Sequence, residues 1–364
     1  MDRIASEGRL GTVRTVPPGV APGSDVAIMS VLGYDPNRFY TGRAPLEAAA
    51  RGLAVEPEDW VFRCNLVTVA DEEMVDYSAG HISTREATVL IEALQEALGS
   101  ETCRFYPGVG YRHLLVVKGE AFNTRTVPPH DIMGEVVRRH LPRGKNARRL
   151  TELMASSREV LGGHEVNRVR EDLGEHAATQ IWLWGEGQRP ELPTFASRWG
   201  VSGAAITAVD LVRGLAKLIG WDAVEVEGAT GYYDTNYAGK AAAAVAALEG
   251  HDVVLVHVEA TDEAGHNGDA MEKVRALENV DGLILGPVLE ALEAGGEAWR
   301  VLVVPDHETP LELRTHAEEP VPFAMMGSGL EPVRGASAMT EAGARQAGLH
   351  VDVGHELMEY FLKR

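Results

Sequence analysis

Cysteine is nearly absent: Cys64 and Cys103 are the only two among 364 residues. Two thiols make no disulfide framework, so a reducing cytoplasm is the expected home. Basic residues are also scarce, with 34 Lys and Arg against 54 Asp and Glu and a formal net charge of −20. A nucleic-acid partner needs a basic footprint, and this composition argues against one. It leaves room for a small phosphorylated substrate, because a few arginines and a metal can make a positive pocket inside an acidic protein. No apolar run approaches the roughly 18 to 20 residues that span a bilayer. Neither terminus carries a basic stretch followed by an apolar one, so no membrane partner is expected. What is present is globular: 45% hydrophobic and 24% charged residues. The length exceeds what one core usually organises, which predicts two domains or one domain with a large insertion.

The chain opens with a short helical stretch, Met1 to Glu7, that Gly8 should stop as a left-handed cap. A strand over 11–16 leads into the Pro- and Gly-punctuated loop 17–23, which presents Ser24 at a loop-to-helix junction. In the plain alternative Ser24 or Asp25 only caps the helix that follows. Strands are expected over 60–69 and 104–118, and amphipathic helices over 86–98 and 147–161. Near Ala177 the character changes. Apolar strands at 181–185, 203–209, 253–258 and 301–304 then alternate with helices at 210–219, 241–248 and 270–292. Such alternation predicts an α/β fold with a mostly parallel sheet covered by helices on both faces. The segment 61–176 has strands and helices of its own and is expected to be a smaller inserted α/β domain, with 1–60 and 177–364 forming the larger one.

Two strand ends supply candidate ligands. After Val253 to Val258 come Asp262 and His266, four apart, which puts a carboxylate and an imidazole on one face of a helical turn. After Val301 to Val304, Pro305 breaks the strand and delivers Asp306 and His307 side by side; His316 follows. In an open α/β sheet the crevice beyond the carboxyl ends of strands is where ligands bind. Each piece has an ordinary reading: a solvated helical pair, a turn cap, a polar loop. Their convergence at two strand ends favours a metal site, and oxygen and nitrogen donors without thiolates suit Mn²⁺ or Zn²⁺, or Mg²⁺ with a looser grip.

Taken in order, Pro22-Gly23-Ser24-Asp25-Val26-Ala27, Leu32-Gly33-Tyr34-Asp35-Pro36, Tyr40-Thr41-Gly42-Arg43 with Glu47 four residues on, Asp262-x-x-x-His266, Asp306-His307-x-Thr309-Pro310 and Thr315-His316-x-x-x-Pro320-Val321-Pro322 resemble the archaeal-type, cofactor-independent phosphoglycerate mutases of the alkaline phosphatase superfamily. The resemblance covers essentially the whole chain. It implies a phosphatase-like metal-binding domain (1–60 and 177–364) carrying an inserted phosphotransferase domain (61–176) that closes over it to exclude water. It also implies two divalent ions, Mn²⁺ foremost with Zn²⁺, Mg²⁺ or Co²⁺ as substitutes, and no bisphosphoglycerate. Asp262, His266 and His316 match one metal site; Ser24, Asp306 and His307 match three of the other's four ligands. Ser24 matches the nucleophile that takes the phosphoryl group from one hydroxyl of a phosphoglycerate and returns it to the neighbouring one. His81 resembles a histidine that meets the substrate near the transferring oxygen, and Lys240 a lysine beside the phosphoserine. Arg43, Arg168 and Arg170 are candidates to hold phosphate or carboxylate, with salt bridges as their ordinary reading. Asp131 is a candidate general base.

The sequence departs from that pattern at its start. The resemblance implies a preceding strand ending in Asp-Gly, whose Asp is the fourth ligand beside Ser24. From ordinary βα unit lengths, roughly 35 to 40 residues would precede Met1 in a longer natural chain. Two other readings stand beside the mutase: a metal-dependent phosphomonoesterase or phosphotransferase acting on another small hydroxy acid, and an inactive short form that only binds metal or ligand. A homo-oligomer is compatible with the sequence.

Overall fold

The computed structural model describes residues 1–332 and 338–363. Strands are β1 (Arg9–Val13), β2 (Trp60–Ala70), β3 (Glu73–Asp76), β4 (Cys103–Val109), β5 (Arg112–Val117), β6 (Asn123–Arg125) and β7 (Arg143–Lys145). They continue with β8 (Gln180–Gln188), β9 (Gly203–Ile206), β10 (Asp222–Val224), β11 (Val253–Val256), β12 (Arg300–Val303), β13 (Val321–Gly327) and β14 (His350–Val351). The chain divides into two compact units, Met1–Tyr40 with Leu192–Arg364, and Thr41–Glu191. No described helix is long and apolar enough to cross a membrane.

The first unit is the α/β body that the strand–helix alternation predicts. Its parallel part is β10-β9-β11, and its mixed part is β12-β13-β1-β14, where β13 runs antiparallel to both β12 and β1. Among the described residues β11 pairs only with β9 and β12 only with β13. Each therefore has one open edge, and every residue of both strands is half-buried. Both strands line a cleft of about 2090 Å³ whose walls include Ile28, Leu32, Val280, Val288 and Phe361. Helix Asp2–Glu7 ends at Gly8, but not by a left-handed cap, since φ there is −131°. A Cβ at Gly8 would stand 2.1 Å from the Met325 carbonyl oxygen, so close strand approach is what requires glycine.

The second unit is a separate antiparallel sheet. Strand β2 lies between β5 and β8, with β4 beyond β5 and the hairpin partner β3 at the end of β2. Eight successive residues of β2, Val61 to Thr68, are buried, which explains why it reads as a near-continuous apolar run. Helix Thr84–Leu98 lays Ala87, Leu90, Ile91 and Leu94 on this sheet, and Phe62, Leu66, Leu115 and Trp182 belong to the same core. Ser83 and Glu86 close a capping box at the start of that helix.

The compact unit begins about twenty residues before the boundary expected at 61 and ends fifteen after the one at 176. Helix Arg43–Ala50 packs its Ala44 and Ala48 against Val61, Leu114 and Val116, and β8 is the edge partner of β2. Pairing between residues 60 and 188 is non-local, so no change of composition marks it.

Candidate active site

Ser24 is the first residue of helix Ser24–Val31, and Gly23 is its N-cap, with no side chain capping the helix. The ordinary capping reading of the serine therefore does not hold. Its hydroxyl instead stands 3.0 Å from Nε2 of His307. Asp25 folds back on its own helix, accepting from the Val26 N–H at 3.0 Å, and takes a second bond from the Tyr40 hydroxyl.

Asp306 and His307 leave β12 as the sequence predicts, one turn past the strand end. Asp306 Oδ2 lies 3.3 Å from His307 Nε2, so three donors, from Ser24, Asp306 and His307, converge. The Asp306 carbonyl accepts from the Thr15 hydroxyl, which ties this turn to the end of β1. His307 is buried, and that burial lowers its pKa against the opposing pull of Asp306.

Asp262 and His266 sit on one face of helix Ala260–Asn267. Nε2 of His266 is 3.2 Å from Asp262 Oδ2, Nε2 of His316 is 3.5 Å from Asp262 Oδ1, and the two Nε2 atoms are 3.0 Å apart. Their ligand atoms all lie within 4.8 Å of one another, a geometry that can hold a metal ion. Gly265 lets the helix approach this closely: a Cβ there would meet the Thr309 carbonyl oxygen at 2.5 Å. The Thr309 hydroxyl in turn donates to Asp262 Oδ1.

Ring orientation at this cluster fits a cation. Nδ1 of His266 lies 3.0 Å from the Arg314 carbonyl oxygen and Nδ1 of His316 lies 3.3 Å from that of Pro22. A carbonyl can only accept, so each Nδ1 carries a proton; with a cation between the rings each Nε2 turns its lone pair to it, and without one a second proton on His316 Nε2 donates to Asp262. Two facing lone pairs repel unless a proton or a metal stands between them. Burial raises the pKa of Asp262, but hydrogen bonds from His316 and Thr309 and the histidine charges outweigh it and hold the carboxyl at about 2. Burial lowers His316, and the bond and charge of Asp262 outweigh that and raise it. The second donor set lies against this one, with the His307 and His316 rings 3.9 Å apart between centroids.

Lys240 is fully buried, and its Nζ donates to the His257 carbonyl at 2.8 Å. Burial, opposed by Glu259, lowers its pKa to about 8. His257, which directly follows β11, is a group that sequence reasoning passed over. Burial, opposed chiefly by Asp306, lowers its pKa to about 4, and Nε2 lies 3.3 Å from Glu259. Its place at a strand end was the available signal.

In the second unit, His81 and Arg43 belong to one connected set of rings and charges. His81 meets Tyr111 (centroids 6.5 Å apart), Tyr111 meets Tyr77 (5.6 Å), Tyr77 meets His130 (6.0 Å) and His130 meets Trp184 (5.3 Å). The Arg63 guanidinium lies 4.1 Å over the Trp184 ring, and half-buried Glu47 bonds to Arg63 at 3.0 Å and to Arg43 at 3.2 Å. Burial raises the pKa of Glu47, and the two arginines outweigh it and lower it. Asp131 is exposed beside His130, 3.7 Å away.

The two remaining arginines differ. Arg168 is exposed on helix Glu165–Asp172. Arg170 is 3% exposed and committed to the protein itself, donating to the carbonyls of Ala79 and His176 and pairing with Glu86 and Glu175. Of the two readings the sequence left for Arg170, substrate holder and salt bridge, these contacts match the second.

Comparison with known proteins agrees with this geometry. The profile of the 2,3-bisphosphoglycerate-independent phosphoglycerate mutases matches residues 5–167. A Geobacter sulfurreducens protein named "Probable 2,3-bisphosphoglycerate-independent phosphoglycerate mutase" is 50% identical over 368 aligned positions, covering 100% of this chain and 92% of its own. The phosphoglycerate mutase of the same description from Methanothrix thermoacetophila is 48% identical, covering 100% and 91%. Among solved structures, the PH0037 protein of Pyrococcus horikoshii superposes with a TM-score of 0.81 at 28% identity, over 100% of this chain and 88% of that one. The cofactor-independent phosphoglycerate mutase of Thermoplasma acidophilum gives 0.65 at 25% identity, over 99% and 90%. Full-length identity near one half, on a fold that brings the strand-end ligands together, places this chain in the family of 2,3-bisphosphoglycerate-independent phosphoglycerate mutases.

Proposed function

We propose that this chain interconverts 3-phosphoglycerate and 2-phosphoglycerate through a phosphoserine on Ser24, with two divalent ions and no bisphosphoglycerate primer. The observation that carries the reading is the Ser24 hydroxyl, released from helix capping and set 3.0 Å from His307 Nε2. Asp262, His266 and His316 would hold one ion, and Ser24, Asp306 and His307 supply three donors for the other. Bound there, the ions would lower the pKa of the hydroxyl and neutralise charge on the phosphoryl oxygens.

Ser24 Oγ gives up its proton and attacks phosphorus, and the ester bond to one glycerate oxygen breaks as the Oγ–P bond forms; that oxygen takes up the proton. The neighbouring glycerate hydroxyl then gives up its proton and attacks the phosphoserine, and the Oγ–P bond breaks to restore the serine. Lys240, whose pKa of about 8 leaves it mostly charged at neutral pH, is suited to sit beside the dianionic phosphoserine. The second unit supplies the substrate-facing groups His81 and Arg43, with Arg168 as an exposed contributor and Asp131 as a base for the glycerate hydroxyl. Among the ions that such oxygen and imidazole donors accept, Mn²⁺ is proposed ahead of Zn²⁺, Mg²⁺ and Co²⁺.

The test is conversion of 3-phosphoglycerate by the purified, Mn²⁺-loaded protein without added bisphosphoglycerate. Turnover that a chelator abolishes and Mn²⁺ restores is expected. Turnover that requires the bisphosphoglycerate would overturn the Ser24 mechanism.

A further inference from the structure

The loop between β3 and helix Thr84–Leu98 holds an unusual backbone. Ala79, Gly80 and His81 follow one another with φ of 49°, 66° and 49°. Only the middle residue is glycine, so two side chains stand in a left-handed conformation that L residues seldom adopt. Such a conformation persists only where its surroundings over-determine it.

They do so here from two sides. Asp76 Oδ1 accepts from the Ser78 N–H at 2.7 Å and the Ser78 hydroxyl at 2.6 Å, and Oδ2 accepts from the Gly80 N–H at 2.9 Å. The Ser78 hydroxyl oxygen accepts from the His81 N–H at 3.1 Å. His176 adds a bond to Asp76 Oδ2 at 2.9 Å. From the other side Arg170 reaches in from helix Glu165–Asp172, donating to the Ala79 carbonyl at 2.9 Å and to the His176 carbonyl at 3.0 Å. Its packing leaves no spare room: a Cβ at Gly80 would stand 3.0 Å from Arg170 Nη2. All but two of these bonds hold a backbone N–H or carbonyl; the bonds from the Ser78 hydroxyl and the His176 ring to Asp76 fix the carboxylate that does the holding. Among the described residues the exposed imidazole of His81 has only its ring contact with Tyr111. A strained main chain held on all sides with its side chain left exposed is the form of a presented functional group.

We propose that Asp76 and Arg170 are positioning residues that hold His81 in its left-handed conformation so that the imidazole meets the substrate in a fixed place. This rests on the mutase reading and assigns Arg170 to the reaction by a route other than substrate contact.

The experiment has two readouts on the Mn²⁺-loaded full chain. The first is hydrogen exchange at the Gly80 and His81 amides. Asp76→Asn and Arg170→Lys should each lower protection there, on the order of tenfold or more, and unchanged protection in both overturns the clamp whatever the activity. The second is a cycle with His81→Ala. Each positioning variant should lower kcat about tenfold with KM for 3-phosphoglycerate little changed, and should cost nothing further in the His81→Ala background. Equal losses in both backgrounds mean a general structural defect and overturn the positioning role. Should Arg170→Lys fail to fold, Ser78→Ala removes the bond to the His81 N–H and must show the same non-additive loss, or the proposal fails. An unaltered protein that turns over no phosphoglycerate while the loop amides stay protected overturns the mutase reading and the task given to His81 with it.

Discussion

The two units present chemistry in opposite ways. In the first, side chains converge from strand ends, two helices and a loop, Ser24, Asp262, His266, Asp306, His307 and His316, and one left-handed residue, Arg314, lends its carbonyl to His266. In the second, the backbone is the special part. Ala79 and His81 hold left-handed conformations that cost about 1–2 kcal/mol each, and a buried arginine and a carboxylate maintain them. Convergent ligands can be assembled by any fold that points strands at one crevice, whereas a strained loop needs its own rigid support. The first arrangement stores its constraint as side-chain electrostatics, the second as main-chain hydrogen bonds.

The comparison can be broken most sharply at Ser24. Ser24→Ala should lower turnover by on the order of a thousandfold or more and leave no phosphoenzyme, with hydrogen exchange in the second unit unchanged. Residual activity near that of the unaltered protein would remove the serine from its role. Next in size is His316→Ala, which takes one of three convergent donors and should weaken Mn²⁺ binding by roughly a hundredfold in calorimetry. His81→Ala, by contrast, should leave Mn²⁺ affinity as it is; a matching loss there would erase the distinction between the units.

The smallest effect is in the response to pH. His113 is buried in β5, and that burial, aided by the Arg51 charge, lowers its pKa from 6.5 to about 3. The unfolded chain therefore takes the proton first as pH falls. Its contribution to stability is complete above pH 6.5 and is lost as pH falls through about 3. The unit Thr41–Glu191 should loosen gradually over that window, read as faster exchange at the β5 amides, and His113→Gln should flatten the slope.

Much of the first site was legible because strand ends announce themselves. An apolar run stopped by Pro305 and followed by Asp306 and His307 needs no tertiary knowledge, and the four-residue spacing of Asp262 and His266 fixes their common face. Thr309 stood in a motif without a role and His257 escaped notice, because their importance lies in what they touch. Arg170 kept two readings for the same reason: a basic residue near a proposed site reads as a ligand for anions, and only burial reveals that its donors are already taken. The compact unit's limits differ from the expected 61 and 176 because the β2–β8 pairing joins residues more than a hundred positions apart and helix Arg43–Ala50 packs on Val61, Leu114 and Val116.

The open edges of β11 and β12 have a consequence in the test tube. Among the described residues each offers a row of unpaired amides and carbonyls flanked by valine and leucine, and natural sheets usually blunt such edges with charge, proline or a bulge. Neither strand carries a bulge or an internal proline, and Arg300 at the start of β12 is the one charge in either. Where no further strand of its own chain covers it, a free edge of this kind templates a strand from another molecule, so light scattering from these 364 residues should rise with protein concentration and fall when lysine replaces Val254 or Leu302. The sheet body that carries the first site thus also sets the concentration at which the protein can be handled.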